Sequence, residues 1–132
     1  VAGGEYGAST GRPRRVGPID LVATRYGCRI QGATEVALTK LDVLSYMKEI
    51  PVCTQYEVNG EKTDDFPFTA VIDEAKPVLT TVPGWGCDIS GVRKYEDLPQ
   101  AARDYVEYVE QAIGVHISYV SVGAGRDEII YR

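Results

Sequence analysis

Residues 99–123 read PQAARDYVEYVEQAIGVHISYVSVG, a helical pattern that passes directly into a strand pattern. Apolar side chains recur every three or four positions across residues 99–113, which is the spacing of one helix face. They are Ala102, Tyr105, Val106, Val109, Ala112 and Ile113. Gly114 is the expected end of this helix, and the apolar run of residues 115–122 predicts a strand that Gly123 breaks. A helix followed at once by a strand is typical of an α/β fold.

The remaining pattern predicts further helices and strands in alternation. Pro18 suits the first turn of a helix because its missing N–H costs nothing there. An Asn-Gly pair between runs of β-forming residues is a strong signal for a hairpin. The predicted elements are a helix from Pro18 to Gly32 with an apolar stripe of Ile19, Val22, Ala23, Tyr26 and Ile30, a strand at 36–39, a hairpin of 50–58 and 61–66, a short helix at 69–75 and a strand at 78–82. The predicted class is α/β, with a mixed sheet, flanking helices and a β-hairpin.

Size and composition restrict the kind of protein. A chain of 132 residues with 44% apolar and 25% charged residues is an ordinary globular domain. No apolar run approaches the roughly 18 residues of a membrane helix, and residues 1–9 do not read as a signal peptide. Three widely spaced cysteines argue against a disulfide framework and favour the cytoplasm, where we expect them to be small buried side chains. The net charge of −5 repels nucleic acids and anionic membranes.

An arginine cluster stands out against this acidic composition. Arg12, Arg14 and Arg15 lie within four residues, in a loop rich in Gly, Ser and Thr. Arginine binds carboxylates and phosphates bidentately, and glycine lets backbone N–H groups approach a ligand. The candidate anion-binding residues are Ala8, Ser9, Thr10, Gly11, Arg12, Pro13 and Arg14. A solvated basic loop or a nucleic-acid arm is the alternative, and we expect the loop to be mobile, with few internal contacts.

A second candidate site follows the strand at 36–39. If the chain stays extended, Lys40 and Asp42 share one face, because side chains alternate along a strand. A carboxylate there can accept from both N1–H and N2–H₂ of guanine while the lysine stem covers the ring, an arrangement that adenine does not match. The carboxyl end of a strand is also where α/β proteins bind ligands. The four letters TKLD are common by chance, and no GxxxxGK[ST] phosphate loop is present.

A third candidate, at Ser121, Val122 and Gly123, ends the last predicted strand. A backbone N–H in this segment could meet the guanine O6, although such a turn is by itself an ordinary loop. His116, the single histidine, is interpreted as a structural strand residue. The sequence offers no nucleophile–base arrangement and no evident metal site.

Taken together, these segments resemble the adenylosuccinate synthetase family. The resemblance rests on GEYGASTGRPRR at 4–15, ALTKLDVL at 37–44, VPGW at 82–85, SGVR at 90–93, DLPQAARDYVEYVE at 97–110 and VSVGAGRDE at 120–128. The order and spacing agree with the last third of that family's chain, so residues 1–132 are identified as a C-terminal segment. Departures are Ser9 for the commoner Thr, Pro18 for an aromatic residue, and SVGAGRD where many members read STGPDRD.

The resemblance implies an activity for the parent protein: a GTP-dependent, Mg²⁺-requiring ligase, expected to be a homodimer, that joins IMP and L-aspartate into adenylosuccinate on the route to AMP. It also implies a larger three-layer fold like that of P-loop NTPases. Residues 1–17 would be the aspartate loop and 18–132 the guanine-binding portion. The implied aspartate and IMP contacts are Ala8, Ser9, Thr10, Gly11, Arg12, Pro13 and Arg14. The implied GTP contacts are Arg14, Lys40, Leu41, Asp42, Ser121, Val122 and Gly123.

Several motifs that the family uses for catalysis are absent from this chain. The family's phosphate loop, catalytic Asp and His, and magnesium ligands lie upstream of these motifs, so we assign no catalytic or metal-binding residue here. We therefore predict that residues 1–132 alone are inert, because phosphoryl transfer depends on positioning and charge neutralisation. A free-standing guanine-nucleotide-binding or interaction module is the alternative reading, but a chain that opens in a loop favours a fragment.

Overall fold

The structure is a computed structural model that describes residues 4–67 and 72–132. Within those residues the chain forms two α-helices and seven strands. In chain order they are β1 (Ile19–Asp20), α1 (Leu21–Gln31), β2 (Glu35–Leu38), β3 (Glu49–Val58), β4 (Glu61–Thr63), β5 (Lys76–Pro83), α2 (Gln100–Ile113), β6 (His116–Ser121) and β7 (Ile129–Tyr131). Short 3₁₀ turns occupy Leu41–Tyr46, Ile72–Glu74 and Tyr95–Asp97. The predicted α/β class is confirmed.

The strands form two sheets rather than one. In the first sheet, β1 runs parallel to β3, while β4 and β5 pair with β3 in the antiparallel sense. In the second sheet, β6 lies between a parallel β2 and an antiparallel β7. Parallel neighbours require a long crossover connection, and between β2 and β6 the chain builds β3, β4, β5 and α2. Both sheets are mixed, as predicted, but the sequence pattern did not separate them and did not reveal β7.

Helix α2 supplies much of the core. Its buried residues are Ala102, Tyr105, Val106, Val109 and Ile113, five of the six predicted. They pack with fully buried side chains of the second sheet, including Ile117, Val120 and Ile130. Gly114 ends the helix in the left-handed region, at φ 72°, and its N–H donates to Glu110 O at 3.0 Å. The strongest periodic pattern in the sequence therefore marks the centre of the fold.

Helix α1 begins later than Pro18, where the sequence pattern placed its first turn. Residues Ile19 and Asp20 are extended, because they pair with β3. Asp20 is the N-cap, and its Oδ1 accepts from Ala23 N–H at 2.9 Å. A carboxylate at the N-cap satisfies a free N–H of the first turn, so Asp20 rather than Pro18 marks the start of this helix.

The apolar stripe predicted for α1 is only partly buried. Val22 is buried, but Tyr26 is 46% exposed and Ile30 is 70% exposed. Gly32 ends the helix as predicted, with φ 62°. The second half of α1 therefore contributes little to the core that the described residues form.

Two further predictions concern turns and loops. The hairpin is confirmed: Asn59 and Gly60 have φ of 54° and 82°, and they join β3 to β4. Strand β4 ends at Thr63, before the predicted limit of 66. Part of the helix predicted at 69–75 lies outside the described residues, and Ile72–Glu74 is a 3₁₀ turn. Of the three cysteines, Cys53 is buried, Cys28 is half-buried and Cys87 is exposed, so the expectation of buried thiols was wrong for Cys87.

A glycine inside α1 gives a stability prediction. Gly27 has an ordinary negative φ, and a Cβ added there meets no atom within 4 Å. Gly27→Ala should raise the free energy of unfolding by about 1 kcal/mol, because alanine loses less backbone entropy in a helix. Urea denaturation followed by circular dichroism measures the change. Gly32→Ala is the matched control and should destabilise, since Gly32 has a left-handed φ of 62°; a lower stability for Gly27→Ala would contradict the prediction.

A network of charged side chains, centred on Glu110 and Arg132, connects the second sheet to α2. Arg132 Nη1 donates to Glu110 Oε2 at 2.7 Å and to Ile117 O at 2.9 Å, and its guanidinium lies 4.7 Å from the centre of the Tyr95 ring. Glu110 Oε2 also accepts from Ile117 N–H at 2.8 Å and lies 2.8 Å from His116 Nδ1. The interpretation of His116 as a structural residue agrees with this contact.

Glu110 makes stability depend on pH. Burial raises the pKa of its carboxyl, but the bonds from Arg132, Ile117 N–H and His116 together outweigh burial and lower that pKa below its ordinary 4.5. The stabilisation is complete above pH 4.5 and is lost as the pH falls through the lowered pKa. Glu110→Gln should therefore cost about 1–2 kcal/mol at neutral pH and much less in acid. Urea titrations at several pH values test this, with exposed Glu61→Gln as control; a loss independent of pH would contradict it.

Candidate functional site

Two of the three predicted segments meet at one edge of the second sheet. Strands β2 and β6 are parallel, and Leu38 is paired with Val120. Their carboxyl ends therefore emerge side by side, with residues 39–42 leaving β2 next to Ser121 and Val122 at the end of β6. The carboxyl edge of parallel strands is where α/β proteins bind ligands. The topology thus brings together two segments that are about 80 residues apart in the sequence.

The conformation of residues 40–42 differs from the prediction. The chain is not extended: Lys40 has a left-handed backbone, φ 60° and ψ 35°, and Asp42 lies in the first turn of a 3₁₀ helix. Leu41 between them is only 1% exposed. Burying this leucine requires the chain to turn inward directly after β2, so strand alternation does not orient Lys40 and Asp42. Asp42 itself is half-buried.

The segment after β6 is held by a residue that the sequence reasoning missed. Val122 is fully buried, and its N–H donates to Glu128 O at 2.9 Å. A Cβ placed on Gly123 would lie 1.2 Å from Glu128 Oε2, so the glutamate side chain covers this glycine. Ser121 Oγ donates to Gly123 O at 2.7 Å. The N–H of Val122 is therefore used within the loop, and a contact with a guanine O6 has to come from elsewhere in the segment.

The arginine loop is internally bonded, contrary to the expectation of few internal contacts. An antiparallel bridge joins Tyr6 to Pro13, Gly7 N–H donates to Arg12 O at 2.8 Å, and Gly11 N–H donates to Gly7 O at 2.9 Å. A Cβ on Gly7 would approach Thr10 Oγ1 to 2.7 Å. The loop therefore closes on itself and presents its tip, Ala8, Ser9 and Thr10, to the exterior. Arg12, Arg14 and Arg15 are also exposed.

Glu5 connects the arginine loop to the edge of the second sheet. Its Oε1 pairs with Lys40 Nζ, and its Oε2 lies 3.6 Å from Arg14 Nη1. The backbone O of Glu5 also accepts from Arg14 N–H at 2.8 Å. All three predicted segments therefore lie in one neighbourhood. Sequence reasoning missed Glu5; the available signal was one acidic residue in an otherwise uncharged stretch before the arginines.

The described residues do not form a metal centre. No three His, Cys, Asp or Glu side chains come together within residues 4–67 and 72–132. A cavity of about 400 Å³ lies between α1, α2 and β3, lined among others by Arg25, Gln55 and Gln111, and none of the predicted site residues lines it. Across the same described ranges, neither helix has the length and apolar character that a membrane crossing requires.

The fold defines the class of this protein as a mixed α/β domain with a polar, charged sheet edge. The family model of adenylosuccinate synthetase matches residues 1–130. Among curated relatives, adenylosuccinate synthetase of Mycolicibacterium smegmatis is 50% identical over 131 residues, and that of Bifidobacterium adolescentis is 49% identical over 129. The matches cover 98% and 97% of this chain but 30% of each relative.

A solved structure agrees with this result. The fully ligated adenylosuccinate synthetase from Plasmodium falciparum superposes with a TM-score of 0.93 at 33% identity, covering 99% of this chain and 32% of that one. The chain belongs to the adenylosuccinate synthetase family and spans about a third of the length of its relatives. The resemblance inferred from the sequence motifs is confirmed, and the reading as a fragment of the enzyme is favoured over a free-standing module.

Proposed function

We propose that this chain is the C-terminal segment of an adenylosuccinate synthetase and carries its guanine and aspartate subsites. The parent enzyme joins IMP and L-aspartate into adenylosuccinate with the conversion of GTP to GDP and phosphate, in the biosynthesis of AMP. The observation that supports this most directly is the meeting of three segments in one place. The parallel pairing of β2 with β6 aligns residues 39–42 with Ser121 and Val122, and Glu5 joins the arginine loop to them.

Guanine recognition is assigned to the sheet edge. The Asp42 carboxylate accepts from N1–H and N2–H₂ of the base, and the Lys40 stem lies along the ring. Leu41 anchors the turn that presents both side chains, since it is buried in the core. Ser121, Val122 and Gly123 form the other wall, with the O6 contact assigned to the N–H of Gly123 because that of Val122 is already bonded.

Aspartate recognition is assigned to the arginine loop. Ala8, Ser9 and Thr10 form an exposed tip with hydroxyl and N–H donors suited to carboxylates, and Gly11 and Pro13 shape its descending arm. Arg12 binds L-aspartate and faces IMP, while Arg14 reaches both aspartate and the GTP phosphates. Guanidinium groups suit these tasks because their paired N–H donors match carboxylate and phosphate oxygens.

The chemical step belongs to the rest of the parent enzyme. Mg²⁺ neutralises phosphate charge in such phosphoryl transfers, and within the described residues no three His, Cys, Asp or Glu side chains come together. We propose that its ligands, the phosphate loop and the acid–base groups lie outside these 132 residues, that the enzyme works as a cytoplasmic homodimer, and that this chain alone is inactive. Formation of adenylosuccinate by the purified chain above a blank would contradict the last point.

Calorimetric titration of the chain with GDP and with ADP tests the proposal. We expect GDP to bind and ADP to bind more weakly, because adenine lacks the pair of donors that Asp42 accepts. Equal affinities for the two nucleotides would contradict the assignment of the base site. Binding of neither would show that the pocket needs the phosphate loop of the parent, and would remove support from the module alternative while the family assignment stands.

A further inference from the structure

We infer that Glu5 is a positioning residue that couples the arginine loop to the base-reading segment. The inference deepens the proposed function and rests on it for what the two segments bind. Glu5 uses both carboxylate oxygens, one toward Lys40 and one toward Arg14. These two cations lie 26 residues apart in the sequence, one in the arginine loop and one in the base-reading segment. One side chain therefore sets the separation between them.

The burial of the three side chains indicates which one is the anchor. The Glu5 side chain is 29% exposed, while those of Arg14 and Lys40 are 59% and 48% exposed. The Glu5 side chain is thus the least exposed of the three. The backbone fixes the same residue, because Glu5 O accepts from Arg14 N–H and Tyr6 is bridged to Pro13. The backbone of Glu5 is therefore positioned by bonds within the loop, independently of the contact that its side chain makes with Lys40.

The charges of Glu5, Arg14 and Lys40 indicate an electrostatic role for Glu5 in addition to packing. Two cations close together repel each other unless a carboxylate lies between them. With Glu5 in place, the trio carries one excess positive charge, enough to attract an anion while both cations stay in position. Exposed ion pairs add little to overall stability. The contribution of Glu5 is therefore local: it joins the arginine loop to Lys40, the residue at the sheet edge.

Limited proteolysis tests the link without any ligand. Trypsin cleaves after Arg14 and Arg15, and cleavage requires the loop to leave the sheet edge. We expect Glu5→Gln and Lys40→Gln each to speed cleavage at these two bonds about fivefold. The double variant should be no faster than Glu5→Gln alone, because Glu5→Gln already removes the ion pair with Lys40. Urea denaturation midpoints should stay unchanged, and Glu61→Gln, an exposed acid on β4, should cleave as the wild type does.

Nucleotide titration supplies the functional readout. In Glu5→Gln, we expect the preference for GDP over ADP to fall about fivefold, because the ion pair between Glu5 and Lys40 is lost. Affinity for inorganic pyrophosphate should hold or rise, since a negative charge has left the site. A merely structural residue would lower all affinities together.

The inference is overturned by unchanged cleavage in both single variants, by additive effects in the double variant, or by a parallel fall in nucleotide and pyrophosphate affinity. A wild-type chain without any preference for GDP would instead count against the proposed base site. The cleavage result would then still decide whether Glu5 forms the link.

Discussion

Asp42→Asn should abolish the preference of this chain for GDP over ADP. The carboxylate of Asp42 accepts two hydrogen bonds from guanine, and an asparagine amide turns a hydrogen-bond donor toward one of those donors. Loss of a bond to a charged acceptor together with this clash amounts to about 2–3 kcal/mol, or roughly a hundredfold weaker GDP binding. Affinity for ADP should hardly change, because adenine presents no such pair of donors. Calorimetric titration with both nucleotides measures the two affinities.

A matched control separates base reading from effects on the 3₁₀ turn. Asp73 also lies in the first turn of a 3₁₀ helix, Ile72–Glu74, and is exposed. Asp73→Asn removes a charge of the same kind from an equivalent position and should leave both affinities unchanged. If Asp42→Asn kept the wild-type preference for GDP, Asp42 would not be the base-reading residue.

Gly84→Ala should cost the fold about 3 kcal/mol or more, because the added methyl group has no space. A Cβ at this position would lie 2.0 Å from the carbonyl oxygen of Met47 and 3.1 Å from the carbonyl carbon of Lys48. Both atoms belong to the backbone, so no side-chain rotation relieves the contact. The N–H of Gly84 also donates to Lys48 O at 2.8 Å, which ties the end of β5 to the chain entering β3. The strand ends must separate before alanine fits.

Urea denaturation of Gly84→Ala measures the loss, with Gly91→Ala as the control. A Cβ on Gly91 meets nothing within 4 Å, so that variant should stay close to the wild type. Met47 directly follows the Leu41–Tyr46 turn, so we also expect Gly84→Ala to weaken GDP binding. Wild-type stability for Gly84→Ala would show that the ends of β3 and β5 separate at little cost.

The sequence indicated three candidate binding segments because their residues carry chemistry that does not depend on the fold. Three segments could be recognised directly from the sequence: the arginine cluster, the Lys-Leu-Asp triplet and the late Ser-Val-Gly turn. Their motifs also identified the family, which the comparisons confirmed. The assigned contacts of these residues with aspartate, IMP and GTP stay predictions until ligands are measured.

The sequence alone determined the helix of residues 100–113, the hairpin at Asn59 and the α/β class. Each of these depends on contacts within a short stretch, whether one helix face or one two-residue turn. Only the tertiary structure decided that Lys40 is left-handed and that Glu5 reaches Lys40. The reason is physical: burial of Leu41 in a core built from distant elements overrides the extended conformation that its neighbours favour, and pairing of β2 with β6 requires a long crossover. Contacts that span 35 residues or more are set by packing, which local periodicity does not encode.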